Sequence, residues 1–249
     1  MRIALCGRNL DDLTPLLAPY DTEIVEDNPD LVISYGGDGA LLGAERDYPS
    51  VPKCPIRDSR STPKCPMHNE KNILNMLFTD ELEETSLTKL AAEVHGKGEC
   101  TGLNDIVLHR LIIASAVRYR IWLNEQLYAN QIVGDGLVAS TPFGSTGYYR
   151  SITHSLFNLG IGLAFNNSTE PVNHLVIEDD SSIQVEILRG PGMVVADNDP
   201  AEIDISTGDE ITIRLAPENA RILGLDVFRC PDCYWLRQHQ AEGLNCDDS

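Results

Sequence analysis

The sequence predicts an α/β + β protein, an amino-terminal α/β domain followed by a β-sandwich domain. Three observations carry this prediction. The first hundred residues alternate short apolar runs with helix-forming stretches. Residues 31–42, LVISYGGDGALL, run an apolar strand into a glycine turn and a helix start. From Gly102 onward, short β-rich runs follow one another with turn residues between them. At 249 residues the chain exceeds one typical domain. The expected division is residues 1–100 for the first domain, joined by the tail 226–249, and residues 101–225 for the second.

In the first domain, residues 2–7 read as a strand. Residues 11–17 read as a short helix capped near Asn9 or Asp11, and residues 23–26 as a second strand. Leu31, Val32 and Ile33 form an unbroken apolar run, as suits a parallel strand covered on both faces. Residues 40–46 contain good helix formers and no β-branched residue. Between strand and helix stand Gly36, Gly37, Asp38 and Gly39. Backbone N–H groups at a glycine turn and the dipole of the following helix make a phosphate site. A carboxylate there would repel a bare anion, so Asp38 is expected to serve as a base for an attacking hydroxyl or as a Mg²⁺ neighbour.

Residues 49–68, PSVPKCPIRDSRSTPKCPMH, break the pattern and read as a long loop carrying Arg57 and Arg60. Thr79 and residues 80–96 read as a capped helix. Leu82, Leu87, Leu90, Ala91 and Val94 share a face and Gly96 stops it. In the second domain, strands are expected at residues 104–109, 117–123, 127–133, 137–140, 175–178, 182–188, 193–196 and 210–215. Past Asp226 the tail turns irregular and is expected to end in a frayed helix.

A formal charge of −19 argues against nucleic acid and anionic membranes as partners. It leaves nucleotides open, since backbone donors, Mg²⁺ and a few local arginines hold polyphosphates. No stretch approaches a membrane span, and the amino terminus is charged too early for a signal peptide, so a cytoplasmic protein is expected. Seven cysteines, an odd number, point to free thiols or metal ligands rather than a disulfide framework.

Residues 135–151, DGLVASTPFGSTGYYRS, form a second motif. A strand runs into small hydroxyls and glycines beside Tyr148, a lining suited to a nucleoside, although the same residue types also build ordinary loops.

Taken in order, GGDGALL, LNDIVLHR at residues 103–110 and DGLVASTPFGSTGYYRS resemble the NAD kinase family, within the diacylglycerol-kinase-like superfamily. The motif ADND at residues 196–199 adds a looser match. The resemblance implies an NAD kinase-like fold with a Rossmann-like first domain, a tail that returns to that domain, and a homodimer or homotetramer. It implies transfer of the ATP γ-phosphate to the adenosine-ribose 2′-hydroxyl of NAD, with Mg²⁺. Asp38 then matches the catalytic aspartate, and Gly36, Gly37 and Gly39 match the phosphate-holding turn. Asn104 and Asp105 match an Asn-Glu pair that holds the dinucleotide, and Asp135 matches an acid near the nicotinamide end. Thr141, Ser145, Thr146, Tyr148 and Ser151 match the nucleoside pocket.

The chain departs from the family pattern at Phe143, where Thr is usual, and at Gly147, where Ala is usual. A glycine pair after the tyrosine motif is replaced by ITHSLF, and a glycine-rich loop after the first helix gives way to the Cys-Pro-Arg stretch. Two alternatives therefore stand beside NAD kinase: a related kinase acting on another nucleoside, sugar or polyol, and a non-catalytic nucleotide-binding regulator. Arg57 and Arg60 are candidate phosphate ligands. Cys54 and Cys65 sit in Lys-Cys-Pro contexts and Cys230-Pro-Asp-Cys233 is a CxxC turn. With the tail returned to the first domain, these four are the expected ligands of a structural Zn²⁺.

Overall fold

The computed structural model describes residues 1–239 and divides the chain into two compact units. The first comprises Met1–Ser86 and the chain from Ala220, the second Leu87–Asn219. No helix among the described residues is long and apolar enough to cross a membrane.

In the first unit the elements are β1 (Arg2–Gly7), α1 (Leu10–Leu17), β2 (Glu23–Ile24), β3 (Leu31–Tyr35), α2 (Asp38–Asp47), β4 (Lys53–Ile56), α3 (Glu70–Phe78) and β5 (Glu84–Leu87). In the second they are β6 (Leu90–Val94), β7 (Gly98–Gly102), β8 (Asp105–Arg110), β9 (Val117–Leu123), β10 (Gln126–Gly134) and β11 (Gly136–Ser140). Then come α4 (Tyr148–Thr153), β12 (Ile161–Asn166), β13 (His174–Ile177), β14 (Ile183–Arg189), β15 (Gly192–Ala196), β16 (Ile203–Ile205) and β17 (Glu210–Leu215). The chain returns to the first unit as β18 (Ala220–Leu223), α5 (Leu225–Phe228) and α6 (Pro231–His239).

The first unit is built on a sheet of order β2-β1-β3-β4-β18-β5, in which the pairs from β2 through β18 are parallel. All five residues of β3 are buried, as its apolar run requires. The second unit is a sandwich of two six-stranded sheets, β10-β9-β14-β17-β6-β7 and β13-β12-β11-β8-β15-β16. One core lies between them, with Val94, Ile121 and Val185 from one sheet against Leu108, Leu137 and Leu163 from the other.

Two expectations fail here. The helix predicted over residues 80–96 is instead the pair of strands β5 and β6. Thr79 caps the end of α3, where its hydroxyl donates to the Asn75 carbonyl at 2.8 Å, rather than opening a new helix. Leu90, Ala92 and Val94 are buried at a spacing of two against β17, so pairing overrides the helical spacing of the leucines. Residues 87–100 accordingly lie in the second unit rather than the first.

The loop predicted over residues 49–68 contains β4, although Pro55 sits inside it. Pro55 pairs with Ser34 of β3, while β18 meets β4 at Lys53. The missing N–H therefore costs no bond on the far side. Strand β12 and helices α3 and α4 were not expected; Asn69, whose side chain accepts the Asn72 N–H at 2.9 Å, is the cap that signals α3. Of the tail, α6 is described to His239, and the expected fraying at residues 240–249 lies outside the described residues.

Helix α2 and strand β4 are joined by a buried ion pair between Glu45 and Lys53, both almost fully enclosed. Removing one member leaves an uncompensated charge in the core. Glu45→Ala is therefore expected to cost about 3–5 kcal/mol in urea unfolding, and Glu45→Leu with Lys53→Met much less. Equal losses for the single and double variants would show that the pair is not what matters.

Candidate functional site

Each unit contributes its own cluster of predicted residues. In the first, β3 ends at Tyr35 and the chain turns through Gly36, with φ +143°, into α2. The Gly36 N–H donates to the Ile56 carbonyl at 2.8 Å, which ties the turn to the end of β4. A Cβ on Gly37 would meet nothing within 4 Å, so this part of the turn faces open space. Asp38 is the first residue of α2, and its carboxylate is half exposed.

Arg57 follows β4 and brings its Nη2 to 3.5 Å from the Asp38 carboxylate. Its guanidinium lies over the Phe228 ring, 4.0 Å from the centroid, and its Nε donates to the Phe228 carbonyl at 3.1 Å. Burial pushes the Arg57 pKa down, and the positive fields of Arg237 and Arg229 add to this while Asp38 opposes it. Arg229 also feels Asp38, and Arg237 acts on Arg57, so two further arginines lie within electrostatic reach of the Arg57–Asp38 pair. Arg229 and Arg237 were missed because the tail that carries them has no phosphate motif of its own. Arg60 stands apart from this group. Its guanidinium pairs with Asp12 and is largely exposed.

The stretch that read as a structureless loop is ordered by two acids. Asp58 accepts from the Asn9 side chain and from the Arg60 N–H, both at 2.8 Å. Glu70 accepts from the Ser59 N–H at 3.0 Å and pairs with Lys64 at 2.9 Å. Burial works against the charged form of Glu70, but the Ser59 hydroxyl and Lys64 hold its pKa down at about 2.

The four cysteines named above do not form one cluster. Cys54 lies in the core of β4, where burial pushes its thiol up to about 12. The residues that converge are Cys65, His68, Cys230 and Cys233, whose donor atoms all lie within 4.8 Å of one another. The missed signal was the spacing Cys65-Pro-Met-His68, a Cys-x₂-His turn matching the Cys-x₂-Cys turn of the tail.

In the second unit, Asn104 and Asp105 are held from behind by Asp197. Its carboxylate accepts the N–H groups of Leu103 and Asn104 at 2.7 Å and of Asp105 at 3.0 Å. This turn passes so close to Gly144 that a Cβ there would fall 2.2 Å from the Asn104 carbonyl oxygen. The Asn104 Oδ1 is buried and has no hydrogen-bond partner among the described residues, which makes it an acceptor suited to a ligand N–H.

Asp105 is buried, and burial first and the Asp197 charge second raise its pKa to about 7. Asp135 pairs with Arg110 at 2.7 Å and accepts from Asn167 at 2.8 Å.

The hydroxyls of the second motif divide into two sets. Thr141 donates to the Leu103 carbonyl at 2.7 Å and accepts the Gly144 N–H at 3.1 Å, while Ser145 donates to the Pro142 carbonyl at 2.8 Å. Both side chains are buried and serve the turn itself. Thr146 is exposed. Tyr148 and Ser151 line an open cleft of about 570 Å³ together with Asn166, Asn167 and Asn173. The Tyr148 hydroxyl accepts from Asn166 Nδ2 at 3.0 Å, and the Ser151 hydroxyl donates to the Tyr148 carbonyl at 2.7 Å. Asn166 and Asn167 were missed because β12, which ends at Asn166, was not read as a strand; Asn173 directly precedes β13.

The raised Asp105 pKa has a consequence for pH. The folded chain holds its proton up to about pH 7, whereas an unfolded Asp releases it near 3.8. Between those values the native state binds more protons than the unfolded state, so stability falls as pH rises. Asp105→Asn is expected to remove that part of the slope between about pH 4 and pH 7 in urea midpoints. An unchanged slope would mean that Asp105 is ionised throughout.

Comparison with known proteins extends these observations. Residues 103–225 match the model of the ATP-NAD kinase C-terminal domain. The NAD kinase of Shewanella frigidimarina is 28% identical, over 89% of this chain and 76% of that protein. The NAD kinase of Clostridium perfringens is 26% identical, over 79% and 75%. Among solved structures, yeast NADH kinase complexed with NADH superposes with a TM-score of 0.78 at 14% identity, covering 100% of this chain and 89% of that one. An NAD kinase from Archaeoglobus fulgidus in complex with ATP gives 0.75 at 20% identity, covering 93% and 97%. These two likenesses concern the fold, which agrees with the α/β unit and sandwich described above. The family model and the relatives support membership of the NAD kinase family.

Proposed function

We propose that this protein transfers the γ-phosphoryl group of ATP to the adenosine-ribose 2′-hydroxyl of NAD, giving NADP and ADP. The observation that carries the reading is Asp38 at the start of α2, beside a glycine turn and within 3.5 Å of the partly buried Arg57. In the reaction Asp38 accepts the proton of the attacking hydroxyl as its oxygen forms the new bond to phosphorus. ADP leaves with the electrons of the broken bond. The turn offers backbone N–H groups and a helix dipole, while Arg57, Arg229 and Arg237 supply positive charge for the phosphates.

Mg²⁺ fits this donor set. It takes oxygen ligands and few protein side chains, and Asp38 is an accessible carboxylate at the turn. When bound it neutralises phosphate charge.

On the second unit, Tyr148, Ser151 and the asparagines of the open cleft are assigned to the acceptor, and Asn104 is assigned to orient it through its unpartnered Oδ1. Asp105 and Asp135 are assigned to the same acceptor region, with Arg110 balancing Asp135. Thr141 and Ser145 support this region through the turn they brace. The reading carries with it a cytoplasmic homodimer or homotetramer, to be checked by light scattering.

Purified protein with ATP and Mg²⁺, offered NAD, NADH, nucleosides and sugars in turn, is expected to release ADP with NAD. Release only with another acceptor would overturn the assignment. Asp38→Asn is expected to lower kcat by about 10²–10⁴-fold while nucleotide binding persists, the usual scale for loss of a general base. Near-normal turnover would remove Asp38 from the chemistry. Tyr148→Ala is expected to raise the KM for the acceptor more than that for ATP. Equal changes would indicate a packing role.

A further inference from the structure

The cluster Cys65, His68, Cys230 and Cys233 lies outside the proposed chemistry, and its geometry has a specific use. His68 and Cys233 are 165 positions apart, yet the His68 Nδ1 is 3.2 Å from the Cys233 Sγ. The Cys65 N–H points at the same sulfur, also at 3.2 Å. Cys230 and Cys233 are buried, and Pro231 and Cys233 begin α6, so the pair sits on a rigid turn. Around a zinc ion with bonds of about 2.3 Å to sulfur and 2.0 Å to nitrogen, tetrahedral ligand atoms stand about 3.5–3.8 Å apart. The observed upper limit of 4.8 Å requires only a small contraction to reach that spacing.

Four unrelated thiol and imidazole groups would not be expected to converge from two separate Cys-x₂-Cys/His turns. A backbone N–H donated to a sulfur is the outer contact that steadies a thiolate ligand.

The neighbours of these four residues are those that hold the arginines. Lys64, just before Cys65, donates its ammonium to the Arg57 carbonyl at 2.5 Å. Phe228, two residues before Cys230, carries the Arg57 guanidinium on its ring and accepts from its Nε. Arg229 directly precedes Cys230, and Arg237 lies one turn beyond Cys233 on α6. Arg57, Phe228, His68 and Cys233 also line one small cavity of about 10 Å³.

We infer that Cys65, His68, Cys230 and Cys233 bind one Zn²⁺ through three thiolates and one neutral imidazole. This ion fastens the tail to the Arg57 loop and thereby fixes the arginines beside the Gly36–Asp38 turn. Binding releases the three thiol protons to solvent and leaves His68 Nδ1 as the nitrogen donor, with its proton on Nε2. The metal has a positioning role, since the arginines rather than the ion meet the phosphates. That second clause rests on the kinase reading; the binding of zinc does not.

The test begins with native protein purified without a histidine tag. Elemental analysis is expected to find about one zinc per chain, and X-ray absorption three sulfur and one nitrogen ligands. Cys233→Ala is expected to lose the metal and lower Tm, and Cys54→Ala to keep it. His68→Cys is expected to keep the metal with four sulfur ligands, which preserves the test if Cys233→Ala fails to fold. Native protein without zinc that takes up none on reconstitution would overturn the site. So would iron in its place, a Cys230–Cys233 disulfide, or loss of metal from Cys54→Ala.

For the positioning role, metal-free protein that remains folded is expected to show a KM for ATP raised about tenfold, with the acceptor KM changed much less. An unchanged KM for ATP in metal-free, active protein would overturn that role while leaving the zinc site standing. Absence of any kinase activity in zinc-loaded protein would count against the kinase reading instead.

Discussion

The first unit depends on the placement of one cation. Arg57 is largely withdrawn from water, and a buried guanidinium needs partners to compensate its lost hydration. It finds them on one side only, in the Phe228 ring and carbonyl. These contacts fix the plane of the group without spending all of its five N–H donors. The contact to Asp38 at 3.5 Å is too long to take up the rest. The chain thus keeps a cation oriented but underused beside the glycine turn, and in the proposed reaction a phosphate completes its hydrogen bonding. Arg57 stands at the end of β4 and Asp38 at the start of α2, and the Glu45–Lys53 pair ties these two elements together.

In the second unit the equivalent constraint is Asp197. One carboxylate collects three successive N–H groups and so fixes the turn that presents Asn104 and Asp105. Its charge raises the Asp105 pKa in addition to burial, so the buried Asp105 is tolerated beside the half-buried Asp197 by holding its proton. Asp197 has φ +50°, a conformation that Asp tolerates better than most residues. The looser ADND match pointed to this segment, but its role as the support of another motif follows only from the pairing of β15 with β8.

How far the sequence could be read depended on whether a residue's partners are local. The glycine turn, Asp38 and the strand before it form a local unit, and so their elements were predicted correctly. The hydroxyl-rich motif was read as a ligand surface, yet Thr141 and Ser145 satisfy backbone groups of a tight turn. Which hydroxyls face inward depends on the 3-10 turn over Gly144–Thr146, which composition does not reveal. The leucines after Thr79 carry a helical spacing, but β17 pairs with β6 from more than a hundred residues away and imposes a strand. Cys54 and Cys65 share the same Lys-Cys-Pro context. Only β4 separates them, burying Cys54 in its sheet while Cys65 falls next to His68 at a turn.

The charge balance illustrates the same difference between local and global properties. A net charge of −19 describes a chain that repels polyanions at long range. Exposed charges are screened within about 8 Å at physiological ionic strength, whereas partly buried ones are screened much less. Arg57 and Arg229 are both substantially withdrawn from solvent, enough for burial to lower their pKa values. Both lie within electrostatic reach of Asp38 in the first turn of α2. On the proposed kinase reading, a polyphosphate at this surface gains little from long-range steering and nearly all of its binding from short, desolvated contacts. Such contacts depend on placement to within a fraction of an ångström, and for these arginines placement rests on the tail, through Phe228 and the helix that follows it.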